Sequence, residues 1–170
     1  MKLFPNSIAH IIMPVMLLRS EIDTEIEQVL SKGFDITLAD FQTLLPVAVL
    51  TTCTQKDIAL FNLVSEASVS RKVQDLIERK LIVKKQDACD ARKSILTLTP
   101  KGRLMVIRVQ TEVIKRMEDV FAELPKSTRR EVSNGLQKMM QILVQHSPRR
   151  ESLLASKNPV LRSLLDNEQS

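Results

Sequence analysis

Between residues 7 and 31 the apolar positions Ile8, Ile11, Ile12, Val15, Leu18, Ile22, Ile26, Val29 and Leu30 recur three or four apart. That spacing predicts one long helix with an apolar face. Pro14 should kink it or mark where its regular part begins, and Gly33 is a natural stop. Thr37, with Asp40 three residues on, reads as an N-cap with an acidic first turn. Leu38, Phe41, Leu44, Leu45 and Val49 form the next apolar face, with a bend expected at Pro46. Residues 51–53 suit a short extended piece.

The pattern then shortens. Thr54 caps a helix with Asp57 in its first turn and Ile58, Ala59 and Phe61 facing inward. Asn62-Leu63-Val64 connects it to a second helix capped by Ser65. The expected buried side of that helix is Ala67, Val69, Val73, Leu76 and Ile77. Its outer side carries Glu66, Ser68, Ser70, Arg71, Gln74 and Asp75. Leu81-Ile82-Val83 and residues 94–98 read as two strands around the polar run KKQDACDARK. Two short helices followed by such a hairpin form a helix-turn-helix with a wing.

Thr99-Pro100 starts a new helix, with Thr at the cap and Pro at the first position. Its apolar positions continue through Leu104, Ile107, Val113, Ile114, Met117 and Phe121, and Leu124-Pro125 ends it. Ser127 is the expected cap of a last helix over about 128–146, with Val132, Leu136, Met139, Met140, Leu143 and Val144 on its apolar side. These helices and the first carry more apolar surface than a small winged lobe needs, which predicts a homodimer.

The expected fold is therefore mainly α with a small β-hairpin wing (α+β). It is a winged helix-turn-helix lobe over 37–100, between an N-terminal dimerisation helix in 1–36 and C-terminal dimerisation helices in 101–146. Residues 147–170 form a polar tail or an arm on the partner subunit.

Charge sharpens this picture. Residues 54–103 hold eleven Lys and Arg against six Asp and Glu, while the remainder balances at fourteen of each. The chain's net charge of +5 thus resides in the segment whose pattern could enter a groove. The chain has five Phe and no Trp or Tyr, which disfavours single-stranded nucleic acid, whose bases stack on aromatic rings. Duplex DNA asks instead for Lys, Arg and small polar groups.

On the second helix of the motif, short hydroxyls reach phosphate or base edges without filling the major groove. Arg pairs with guanine or phosphate, and Gln with adenine. The candidate DNA-binding residues are Ser65, Ser68, Ser70, Arg71 and Gln74 on a recognition helix of about 65–80. Lys84, Asp90, Arg92 and Lys93 join them on a wing of about 84–94. Arg92 suits a narrow minor groove, and Asp90 could orient it by a charge-assisted bond.

The hydrophobic N-terminal run is too short and too interrupted for a secretory signal. No stretch is long enough to span a bilayer, so no membrane association is expected. Cys53 and Cys89 make no disulfide framework, and a cytoplasmic protein with reduced thiols follows. His10 and His146 are far apart in sequence, and no nucleophile–base grouping, phosphate-binding loop or metal-ligand spacing occurs. Neither an enzyme nor a cofactor or metal site is expected.

Over residues 65–102 the sequence resembles the multiple antibiotic resistance regulator (MarR) family of bacterial winged-helix repressors. The carrying residues are Ser65, Val69-Ser70-Arg71, Leu76, Leu81-Ile82-Val83, Asp87, Asp90, Arg92 and Leu98-Thr99-Pro100-Lys101-Gly102. The resemblance implies an obligate dimer and a probe of the major groove by the recognition helix, with wings toward the minor groove. It also implies release of DNA by a small anionic aromatic effector held between the dimer helices and the winged lobe. Met13, Met16, Phe41 and Leu45 offer apolar walls for such a pocket, and Arg19 and His10 are its anion partners.

Three features depart from the family pattern. Lys80 stands where a Gly commonly precedes the hairpin, which costs about 1 kcal/mol if that residue is left-handed. Asn62-Leu63 replaces Leu-Gly in the turn, which suggests a turn shifted by one residue, with Asn62 left-handed. Ala91 stands where another base is common. Oxidation sensing would fall to Cys53, just before a helix start, or to Cys89, between two acidic residues that raise a thiol pKa. The main expectation is a dimeric transcriptional regulator at a pseudo-palindromic operator, acting as a repressor. The alternative is a winged-helix protein–protein module that has lost sequence-specific DNA binding.

Overall fold

Three Thr residues and one Ser start the helices of the lobe, and each does so by accepting a backbone N–H at the third helical position, as a short hydroxyl side chain can. In the computed structural model, which describes residues 8–86, 93–148, 151, 153 and 159, the first element is helix α1, Ala9–Gly33. It runs through Pro14 and ends where Phe34 turns extended, with the Phe34 N–H on the Leu30 carbonyl. Thr37 then caps α2, Leu38–Val49, in a reciprocal capping box with Asp40. The helix continues through Pro46, and the Leu50 N–H reaches the Pro46 carbonyl. Phe41 and Leu44 are buried as expected, but the C-terminal end of the apolar face falls on Pro46 and Val47, and Val49 is exposed.

Thr54 and Asp57 form a second capping box at α3, Gln55–Asn62. Ser65 caps α4, Glu66–Glu78. Strand β1, Ile82–Gln86, pairs antiparallel with β2, Ser94–Leu98, in a register from Ile82–Leu98 to Gln86–Ser94. The expected polar run is thus shorter than the sequence implied, because Lys84, Lys85 and Gln86 belong to the first strand. The short extended piece before α3 is present as one bridge: Cys53 opposite Leu96, with the Leu96 N–H 2.8 Å from the Cys53 carbonyl.

Thr99 caps α5, Pro100–Val120. After a short turn α6, Lys126–Gln145, begins on Pro125 with no side-chain cap. Ser127 therefore lies inside α6 rather than at its cap. The Arg129 guanidinium does a different job, donating to the Phe121 carbonyl at 2.7 Å and the Leu124 carbonyl at 2.9 Å. A cation there satisfies the open carbonyls at the end of α5 and complements its dipole.

The core sits where α2, α4, the hairpin and the N-terminal half of α5 meet, around Leu44, Ile58, Val73, Leu76, Ile82 and Val109. Glu25 of α1 accepts from Arg116 of α5 at 2.7 Å, and that bond holds the Glu25 carboxyl below its ordinary value. A smaller cluster joins Val144 and Met140 of α6, Leu153 and Leu60 of α3. Outside these contacts the long helices show bare apolar side chains. Ile8, Ile11, Ile12, Met16, Leu17 and Leu18 of the α1 end are exposed, as are Leu104, Ile107 and Ile114 of α5 and Ile142 and Leu143 of α6.

Candidate DNA-binding surface

The turn between α3 and α4 is set by Leu63, which is left-handed at φ 57° and ψ 35°. Asn62 is not the left-handed residue, so the expected one-residue shift of the turn does not occur. Asn62 instead finishes α3, and its side-chain amide donates to the Gln42 carbonyl on α2 at 2.8 Å. That bond ties the first helix of the motif to the helix behind it. The Val64 N–H then closes on the Ala59 carbonyl at 3.0 Å, and Ser65 starts α4.

At that start the Ser65 hydroxyl accepts the Ser68 N–H at 3.3 Å and lies 2.9 Å from the Ser68 hydroxyl. Ser65, Ser68, Ser70, Arg71 and Gln74 are all exposed on one side of α4, while Val69, Val73 and Leu76 are buried on the other. Gln74 donates to Glu78 at 3.0 Å. Ala67, expected inside, is exposed and belongs to the outer side. The result is a row of short polar side chains with one guanidinium, on a helix fixed from behind.

Two basic side chains, Lys72 of α4 and Arg79 at its C-cap, do not face outward. The Lys72 ammonium lies 2.8 Å from Asp40 Oδ1, and Arg79 donates to Asp40 Oδ2 at 2.9 Å. Asp40 is 1 % exposed. Burial pushes its carboxyl up, but Lys72, the Thr37 N–H and Arg79 together outweigh that and hold it at about 2. Arg79 also donates to the Asp35 carbonyl and lies 3.4 Å from Asp75. The basic surplus of the segment is therefore not all on its outer side. The sequence carried a trace of this: Lys72, Leu76 and Arg79 share an i, i+4, i+7 stripe, and the middle one is buried.

Beyond α4 the chain turns through Lys80, left-handed at φ 60°. Strand β1 then presents Lys84, Lys85 and Gln86 to solvent, and Lys93 is exposed where β2 begins. Asp90, Arg92 and Cys89 lie outside the described residues.

The expected effector residues differ in burial. Phe41 is buried in the core and Leu45 half-buried, whereas His10, Met13, Met16 and Arg19 are exposed on α1, with Arg19 3.6 Å from Asp23. A groove of about 640 Å³ instead opens between the C-terminal half of α1 and α5, lined among others by Lys32, Phe34, Arg108, Glu112, Lys115 and Asp119. Arg108 stands over the Phe34 ring, 5.5 Å from its centroid. Cys53, the other thiol considered for redox sensing, is 1 % exposed, with Sγ 3.7 Å from the Thr54 carbonyl. Exposure is the condition for thiolate reactivity, and Cys53 does not meet it. Among the described residues no group of His, Cys, Asp and Glu could hold a metal ion, and no helix is long and apolar enough to cross a membrane.

The sequence model of the MarR family matches residues 34–93. No curated protein matches the chain. Several solved structures share its fold. A MepR–DNA complex from S. aureus is 25% identical, with 77% of this chain and 96% of that chain covered at a TM-score of 0.68. A MarR/EmrR family transcriptional regulator from Acinetobacter is 19% identical, covering 82% and 99% at 0.72. CouR from Rhodococcus jostii, bound to p-coumaroyl-CoA, is 15% identical, covering 76% and 90% at 0.65.

Proposed function

We propose that this chain is a transcriptional regulator of the MarR family, whose sequence model matches residues 34–93, and that it acts as a dimeric repressor. It reads a pseudo-palindromic duplex operator with α4 in the major groove and the hairpin toward the minor groove. The observation that carries the reading is the two-sidedness of α4. Ser68, Ser70, Arg71 and Gln74 are exposed together, while Val69, Val73 and Leu76 anchor the helix in the core. An outer face of this chemistry suits base edges and phosphates. Asp90 and Arg92 complete the proposed wing, with Lys84 and Lys93 contributing charge.

The dimer is supported by the uncovered apolar side chains of α1, α5 and α6, which a second copy of the same surface would bury. The division into a dimerisation helix, a reading lobe and paired C-terminal helices follows from it, and such a regulator works in the cytoplasm without enzymatic activity. A small anionic aromatic effector is the proposed signal. The α1–α5 groove, with Lys32, Arg108 and Lys115 on its walls, is large enough for one.

The test is binding of the purified protein to its own upstream DNA, and to duplexes selected from a random library, over a salt series. A regulator gives binding that weakens steeply with salt yet survives excess random competitor. Arg71→Ala should then cost about 1–3 kcal/mol and relax preference at one base pair. Lys84→Ala should weaken all duplexes alike. Absence of any duplex preference would sink the repressor reading and leave the protein–protein module.

A further inference from the structure

Lys72 of α4 and Arg79 at its C-cap are seven residues apart, two turns and about 10 Å along the axis, so both leave on the same side. They meet on a single carboxylate. Lys72 takes Oδ1 of Asp40 at 2.8 Å and Arg79 takes Oδ2 at 2.9 Å. Asp40 is itself fixed, because Oδ2 also accepts the Thr37 N–H at 2.9 Å in the capping box of α2. Arg79 reaches on to the Asp35 carbonyl, in the segment that joins α1 to α2.

This arrangement differs in kind from the apolar contacts beside it. Val69, Val73 and Leu76 hold α4 against the core, but apolar burial is non-directional and tolerates small rotations. The Arg79 bond to Oδ2 is charge-assisted and directional, and the Lys72 ammonium adds an ion pair on the opposite oxygen, which accepts no hydrogen bond. A rotation of α4 about its axis would move both cations off their oxygens. It would also swing the adjacent Arg71, and Ser68, Ser70 and Gln74 with it.

We propose that Asp40 is a positioning residue for sequence reading: by holding Lys72 and Arg79 at once, it sets the rotation of α4 and so the aim of its outer side chains at base edges. This rests on the DNA-binding reading given above. Asp40 touches no DNA in it.

The sign of the charge change makes the proposal testable. Asp40→Asn removes a negative charge from a chain of net +5, so electrostatics alone would tighten binding to every duplex. A loss of folded protein would weaken specific and random duplexes in proportion. A loss of aim weakens the selected duplex only. The experiment measures the affinity of full-length wild type, Asp40→Asn and Lys72→Gln for a library-selected duplex and a random duplex of equal length. The salt series and the thermal unfolding of each protein are recorded alongside.

For Asp40→Asn the expected result is a roughly tenfold or greater fall in the specific-to-random ratio, the scale of one misread base pair. The salt slope on random DNA should stay unchanged. Lys72→Gln leaves Arg79 on Asp40 and should give a smaller fall in the same ratio, which keeps the test alive if Asp40→Asn does not fold. A ratio unchanged in the folded variants, or parallel losses on both duplexes that track unfolding, overturns the proposal. A wild type with no duplex preference overturns the DNA-binding reading itself, and this proposal with it.

Discussion

The Thr99 hydroxyl, which caps α5, donates to the carbonyl of Lys80, the left-handed residue that ends α4, at 2.7 Å. The Thr99 N–H meets the Leu81 carbonyl at 3.0 Å, and the Lys101 ammonium reaches the Arg79 carbonyl at 3.3 Å. The run Leu98-Thr99-Pro100-Lys101-Gly102 is thus a clamp on the chain leaving α4. Thr99 caps one element and braces another with the same oxygen, because Gly102 N–H also donates to it at 2.9 Å.

Gly102 is where that clamp admits no side chain. A Cβ there would lie 2.1 Å from the Leu81 carbonyl oxygen, a backbone atom that cannot move without breaking the Thr99 bond. Gly102→Ala should destabilise the lobe by about 1–3 kcal/mol or more, read as a lower urea midpoint with unchanged slope. Gly135→Ala is the control: nothing lies within 4 Å of its Cβ position, and it sits inside α6. It should be neutral or stabilising by up to about 1 kcal/mol.

Leu63 and Lys80, the left-handed residues at the two ends of α4, carry a strain that glycine would not. Leu63→Gly and Lys80→Gly should each raise stability by about 1 kcal/mol, seen as a higher midpoint in urea. Glycine at most other exposed loop positions has no such strain to relieve, so a loss of stability at both sites would contradict the assigned backbone.

Asp40 makes the lobe acid-sensitive. Its carboxyl is held at about 2 in the folded chain, below the ordinary Asp value of about 3.9. The stabilisation is therefore present in full above pH 4 and is lost as pH falls from about 4 to 2, on the order of 2 kcal/mol. Stability measured in urea over pH 7 to 2 should decline more steeply in wild type than in Asp40→Asn. Equal acid limbs would remove Asp40 from the account.

Leu17 is a large apolar side chain left 60% exposed in the single chain. If the proposed dimer forms, Leu17→Glu should shift it to monomer in sedimentation equilibrium and weaken the proposed operator binding, while helical content is kept. A dimer of unchanged strength would move the interface away from the α1 end.

Much of the lobe was legible because local signals decide local structure. Thr37, Thr54, Ser65 and Thr99 each announce a helix start, since a short polar side chain in extended backbone can accept the N–H three residues on. The exposed row of Ser68, Ser70, Arg71 and Gln74 followed from helical period alone. The misplaced features were those that local spacing leaves degenerate. Ser127 has the chemistry of a cap, but Pro125 precedes it and α6 starts early. Lys84 and Lys85 look like loop residues, yet cross-strand pairing to Leu96 and Ile95 draws them into β1.

By itself, then, the chain's order of caps, periods and turn residues determined a winged helix-turn-helix between long helices, because those signals act over a few residues. Tertiary structure alone decided which basic residues face outward. Lys72 and Arg79 look equivalent to Arg71 in a charge count. Asp40, more than thirty residues earlier in the chain, draws them inward, since a buried carboxylate must be compensated by whatever cations the fold brings within reach. The same holds for Leu63 and Lys80: the path of the chain between α3, α4 and the hairpin requires left-handed backbone there, and the packing around them supports residues that would not choose it alone.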